Sequence, residues 1–188
     1  MSAEAHPPVV GRPAPVRPAR DGEARARVGV RVRRGLPADI DVVVELRLAL
    51  LREHAGNPIY GRLRRDARSR AERLFAAQLA ARGEVTFLAE KEGEVVGILR
   101  CIDAQGSPLL HPDRYGYIAS VYVRPAVRRS GVLRALVASA ERWCERRGLT
   151  ELRLHNAADN ELASAAWSGL GFEVAEVLRV RPLHPRGG

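Results

Sequence analysis

Apolar positions recur along this chain with two different periods, and the switching between them sets an order of elements. Val28, Val30 and Val32 alternate with Gly29, Arg31 and Arg33, the period-two signature of a half-buried strand. Leu36-Pro37-Ala38-Asp39 is a helix-start signal, and Ile40, Val43, Val44, Leu48 and Leu51 follow at helical spacing up to about Gly56. Asn57-Pro58-Ile59-Tyr60-Gly61 breaks that period. A second helix is predicted over 66–82, with Ala71, Leu74, Phe75 and Leu79 on one face, Gln78 beside them and Gly83 as the stop. Residues 85–90 and 94–102 flank Lys91-Glu92-Gly93 and read as an antiparallel hairpin. A loop with Gly106, Pro108 and Pro112 leads to a strand over 115–123. Leu133, Leu136, Val137, Ala140, Trp143 and Cys144 then form an apolar helical stripe closed by Gly148. A strand over 149–154, a short helix over 160–169 and one or two closing strands over 172–180 complete the pattern.

Strand, two helices, three strands, helix, strand, helix, strand is not a regular βαβ array. It predicts a mixed sheet with helices on its faces. Residues 1–28 are rich in Pro, Ala and Arg and nearly lack large apolar side chains, so they cannot bury enough surface to offset ordering entropy and are expected to be a disordered tail. The folded domain is assigned to 29–183.

A chain of 188 residues with 46% hydrophobic content suits one domain with a filled core. The formal charge of +9 favours polyanionic partners without choosing among them, and because Lys91 is the only lysine the arginine excess reads first as a composition bias. Cys101 and Cys144 have neither CxxC nor Cys/His spacing, so no metal site is expected and reduced, cytoplasmic thiols are the simplest reading. No apolar run reaches the roughly 18–20 residues of a membrane span. The basic tail lacks interleaved aromatics and no recognition helix is evident, so nucleic acid is not an expected partner.

The most informative stretch is Val123-Arg-Pro-Ala-Val-Arg128-Arg129-Ser130-Gly131-Val132-Leu133, in which a strand end passes through a turn into a helix. A helix start leaves backbone N–H groups without internal partners and carries the positive end of the helix dipole. Gly131 lets the backbone approach a ligand, and Arg128 and Arg129 add positive charge. The anion that fits so short a cradle is a phosphate or pyrophosphate.

Together with Asn160-x-x-Ala163-x-x-x-Trp167-x-x-x-Gly171-Phe172, this stretch resembles the GCN5-related N-acetyltransferases, and the element order over 28–180 agrees. The resemblance implies an acyl-CoA N-acyltransferase fold: α/β (α+β), with a mixed, mostly antiparallel central sheet splayed at the cofactor-binding strand and flanked by helices on both faces. It implies acetyl-CoA, or another acyl-CoA, as cofactor and an amine acceptor, and the family often forms homodimers. The pyrophosphate would be held by Arg129, Ser130, Gly131, Val132, Leu133 and Arg134, and the pantetheine arm by the backbone of Val121, Tyr122 and Val123. Asn160 is assigned either to CoA or to capping the helix that it begins.

Two positions depart from the family pattern. Leu133 replaces a small residue and is expected to turn into the core as the start of the helix stripe. Trp167 stands where many members carry a tyrosine that protonates the departing thiolate, and an indole N–H is not a useful acid. The strand over 117–123 contains no Asp, Glu or His, so no general base is assigned there; Tyr117, Ser120 and Tyr122 are candidates to hold a relay water. His54, Tyr60 and His111 lie in or beside loops that would flank the acceptor. The function expected is transfer of acetyl from acetyl-CoA to a primary amine of a small molecule or protein. The alternative is a non-catalytic acyl-CoA sensor of the same fold.

Overall fold

The computed structural model describes residues 29–181 and 183. Its strands are β1 (Arg31–Arg34), β2 (Glu84–Lys91), β3 (Glu94–Gln105), β4 (Arg114–Val123) and β5 (Leu152–Leu154), and its helices α1 (Ile40–Glu53), α2 (Ala67–Ala80), α3 (Val132–Glu145) and α4 (Glu161–Ser168). Single 3₁₀ turns, Pro37–Asp39 and Pro125–Val127, lead into α1 and out of β4. The tail assigned to 1–28 lies outside the described residues.

The five strands form one sheet in sequence order, antiparallel from β1 through β4, with β5 added parallel to β4. A parallel neighbour needs a crossover, and α3 supplies it. Alternate residues of the central strands feed opposite faces, which is why β2 and β3 carry runs of consecutive buried positions. On one face Val85, Phe87, Leu99, Cys101 and Ile118 pack against Leu136, Val137, Ala140 and Trp143 of α3 and Trp167 of α4. On the other, Leu88, Ile98 and Tyr122 pack against Val43, Val44, Leu46 and Leu48 of α1 and Phe75 of α2. The mixed, mostly antiparallel sheet with helices on both faces is therefore present as expected.

The helix start at Leu36 is built as its residues suggest. The Asp39 carboxylate accepts the Leu36 N–H at 2.7 Å and is gripped by both terminal nitrogens of Arg33 at 2.7 and 2.8 Å, while Arg33 Nε reaches Glu90 at 2.5 Å. These bonds tie the first strand, the turn into α1 and β2 together.

Two expectations are corrected. Residues 172–181 form no strand, and Val174, Val177 and Leu178 are exposed. Strand-forming side chains need a ladder to join, and β5 at that margin of the sheet is only 3 residues long. Leu74, expected on the apolar stripe of α2, is 53% exposed because it lies at the stripe's edge, one step around the helix from Phe75.

Candidate active site

The site begins where the sheet comes apart. β4 pairs with β5 only at Gly116–Leu152, Tyr117–Arg153 and Ile118–Leu154. Immediately beyond, the register with β3 steps from Cys101–Ile118 to Arg100–Ser120, leaving Ala119 as the extra residue of a bulge. From there β4 has no strand partner on its β5 side among the described residues. Arg124 donates its N–H to the Val96 carbonyl across β3 at 2.9 Å, so strand alternation turns the backbone groups of Val123 and Val121 toward the open side. The Val123 carbonyl is then taken by Arg128 Nε at 2.9 Å, and its N–H faces the gap.

At the end of that edge the chain makes the anion cradle. Arg129 has φ +62° and Gly131 φ +87°, and the first backbone bond of α3 runs from Ala135 N–H to the Gly131 carbonyl at 3.0 Å. The six preceding N–H groups, from Arg129 to Arg134, have no protein acceptor among the described residues. A left-handed residue before a helix start points such groups into one concavity, where an anion gains several hydrogen bonds together with the positive end of the helix dipole. Ser130 Oγ ties the loop back to the Val127 carbonyl at 2.7 Å.

The cradle is pressed onto the sheet. A Cβ on Gly97 of β3 would meet Val132 Cγ1 at 3.1 Å and Leu136 Cδ1 at 3.3 Å, so glycine there lets the start of α3 come close. Leu133 packs against the core cluster, as expected for the first residue of the stripe. Arg129 and Arg134 are exposed beside the cradle, whereas Arg128 binds the Glu53 carboxylate at 2.7 Å and lies over the Tyr122 ring. Arg128 therefore pins the end of β4 to α1 while the cradle's free charge comes from Arg129 and Arg134.

The α4 segment has a structural role. Asn160 Oδ1 caps α4 by accepting the Ala163 N–H at 2.9 Å, the second of its two assignments. Trp167 is 8% exposed and meets Phe172 edge-on at 5.3 Å between ring centroids. It is a core residue.

Tyr117, Ser120 and Tyr122 share the sheet face covered by α1 and α2, since the bulge at Ala119 restores their alternation. They are not equivalent. Tyr122 is buried, and burial together with the Glu53 carboxylate raises its pKa. Ser120 is 5% exposed. Tyr117 stands at the vertex of the fork with its hydroxyl 2.8 Å from His155 Nδ1, and burial raises its pKa too.

His155, the first residue beyond β5, was not among the sequence candidates. Its signal was only positional: a polar, titratable residue at the end of a parallel strand, where α/β sheets collect their chemistry. Of the loop residues, His54 and Tyr60 meet with their rings tilted at 52° and 5.8 Å between centroids. His111 is not brought to them. It lines a separate cavity of about 340 Å³ with Leu109 and Asp113 in the β3–β4 loop, at the opposite end of β4 from the cradle. Cys101 and Cys144 are buried free thiols with their sulfurs 3.8 Å apart, and no group of three or more His, Cys, Asp or Glu suited to a metal occurs among the described residues.

A sheet forked at β4, with unused backbone groups along one tine and a cradle of free N–H groups at its tip, defines an acyl-CoA N-acyltransferase. The chain belongs to the acetyltransferase (GNAT) family, whose sequence model matches residues 45–172, and it is an acetyltransferase with acyl-CoA as donor. It is 31% identical over 160 residues to an aminoglycoside N(6')-acetyltransferase type 1 of Stenotrophomonas maltophilia, covering 82% of this chain and 94% of that one. A relative of the same name from Acinetobacter haemolyticus is 39% identical over 61 residues, 32% of this chain and 42% of that relative's length. Among solved structures, a predicted acetyltransferase with acetyl-CoA from Clostridium acetobutylicum superposes with a TM-score of 0.67 at 20% identity, covering 81% of this chain and 96% of that one.

Proposed function

We propose that the protein transfers acetyl from acetyl-CoA directly to a primary amine of a small molecule or protein. The observation that carries this reading is the run of free N–H groups from Arg129 to Arg134 at the tip of an open β4 edge. These groups would hold the CoA pyrophosphate, and the Val121 and Val123 backbone the pantetheine arm, which brings the thioester to the fork vertex near Ile118. There acyl-CoA supplies an activated acetyl group. The protein's part is to position it, to offer an N–H donor from the open edge to the carbonyl oxygen, and to take a proton from the amine.

For that proton the Tyr117–His155 pair is the reading we adopt. No carboxylate lies on β4 near the vertex, and the Tyr117 hydroxyl is hydrogen-bonded to the His155 imidazole, a side chain able to take up a proton. Proton removal then runs through the phenol, or a water on it, to His155. Trp167 is buried, so the thiolate is protonated by solvent or by the same pair. His54 and Tyr60 belong to the acceptor side.

The amine is not fixed by likeness to aminoglycoside acetyltransferases. No helix among the described residues is long and apolar enough to cross a membrane, and the two free thiols agree with a cytoplasmic setting.

Acetyl-CoA at millimolar concentration should raise the melting temperature by mass action. Release of free CoA over a panel of amines should exceed the buffer rate. Absence of any thermal shift would overturn the donor assignment, and a shift without turnover on any amine would favour a sensor.

A further inference from the structure

Arg47 is out of place for an ordinary surface arginine. It lies on α1 with its guanidinium 5.5 Å from the centre of the Phe75 ring, and its Nε is buried without an acceptor. It makes no ion pair among the described residues. Arg100, whose charge acts on it, is itself ion-paired to Glu84. Arg47 faces the like charge of Arg100, and with burial this pushes its pKa down to about 10, so it remains a cation at neutral pH. Its contact with Phe75 puts it where α1 meets α2, on the sheet face that carries Tyr117, Ser120 and Tyr122. A half-buried guanidinium whose Nε lacks an acceptor, on the face that carries Tyr117, calls for an anion from outside the chain.

We propose that Arg47 reads the acceptor, and that the acceptor is an amine carrying a carboxylate rather than a polycation. The inference rests on the acetyl-transfer reading, since it assigns the substrate class of that same site. A carboxylate on the acceptor would receive the planar fork of Arg47 and relieve its repulsion from Arg100. An acceptor with several ammonium groups would meet Arg47 and Arg100, where the Glu84 carboxylate is already ion-paired. This separates the chain from relatives named for aminoglycosides while keeping their fold.

The test compares matched amines: β-alanine with β-alaninamide, glycylglycine with glycylglycinamide, and kanamycin as the polycation. The acids should be acetylated with at least ten-fold higher kcat/KM than their amides, the difference lying in KM, and the margin should shrink with added salt. In Arg47→Gln the ratio of acid to amide should fall toward one, and Arg47→Lys should restore part of it. The thermal shift produced by CoA should persist in both variants. Equal use of acid and amide by the wild type, or preference for kanamycin, overturns the proposal, as does an acid preference that survives in Arg47→Gln. If no amine is acetylated although CoA binds, the transfer reading fails on its own. Calorimetric titration of glycylglycine against glycylglycinamide into CoA-saturated wild type and Arg47→Gln then decides the role of Arg47: an Arg47-dependent preference for the acid supports it, and none overturns it.

Discussion

Gly116 is the position at which the fork is most exposed to a single methyl group. It sits on β4 opposite Leu152, two residues before the strands part, and its Cα faces Cys144 of α3. A Cβ built there would lie 2.7 Å from Leu152 Cδ2 and nearer still to Cys144 Sγ, both well inside the 3.0 Å that real Cβ contacts respect. Leu152 is held by the β4–β5 ladder, including the Gly116 N–H to Glu151 carbonyl bond at 2.8 Å, and Cys144 by the last turn of a helix whose stripe is buried. The half-buried Leu152 side chain can swing aside, but the buried Cys144 sulfur has no room to retreat. Overpacking of this kind costs about 1–3 kcal/mol, so Gly116→Ala should lower the melting temperature of a chain this size by roughly 2–10 °C.

The cause can be isolated with a double-mutant cycle. Cys144→Ala alone removes a buried sulfur and should destabilise by about 1 kcal/mol. In the Gly116→Ala background the same change opens room for the new methyl, so the double variant should be more stable than the two single costs predict, by roughly 0.5–2 kcal/mol of coupling. The measurements are urea denaturation of the four proteins with slopes held comparable, plus CoA affinity of each. Because the methyl pushes β5 from β4 at the root of the fork, CoA affinity should fall with Gly116→Ala and recover in the double variant. A Gly116→Ala protein as stable as wild type, or costs that simply add, would refute the packing argument.

Other outcomes follow from the same geometry. Gly131→Val places a β-branched residue at φ +87°, where L residues are strained by about 1–2 kcal/mol, so it should destabilise and also weaken CoA binding measured by titration; unchanged affinity would count against the cradle. Asp39 is held below its ordinary value of 3.8 by hydrogen bonds from Arg33. Its contribution is therefore fully present above about pH 4 and lost as pH falls through the lower folded value. Asp39→Asn should cost about 1 kcal/mol at pH 7 and nothing extra at the acid end, read by denaturation across pH 2–7. Trp167→Phe should lower stability by about 1–2 kcal/mol while leaving CoA release within a few-fold of wild type; a loss of a hundred-fold would return Trp167 to the chemistry.

The parts of the fold that rest on periodicity were legible because burial imposes it. The α3 stripe, the Lys91-Glu92-Gly93 hairpin and the Asp39 helix start each have a local cause, and Glu92 and Gly93 do take the positive φ that such a turn requires. The cradle was legible for the same reason, since a left-handed glycine before a helix start is a property of a few consecutive residues. What was not legible depends on residues far apart in sequence. The Tyr117–His155 bond spans 38 positions, and the use of Arg128 by Glu53 spans 75. The closing strand failed in the reverse direction: residues 172–180 have strand-like composition, but a ladder is made with a neighbour, and β5 is short.

The charge pattern changes meaning once these long-range pairs are known. A net charge of +9 invites the reading of a broad polyanion-binding surface. The arginines around the fork instead divide by partner. Arg124 and Arg128 fasten the end of β4 to α1, and Arg100 fastens β3 to β2 through Glu84. Arg129 and Arg134 stand exposed by the cradle, and Arg47 keeps a buried Nε without an acceptor among the described residues. A basic excess that appears diffuse in the sequence therefore leaves two local demands for an anion near this site, one at the helix start and one where Arg47 meets Phe75 between α1 and α2. A polyphosphate donor meets the first. An acidic acceptor meets the second, and the two together set an electrostatic complement that a polycationic amine lacks.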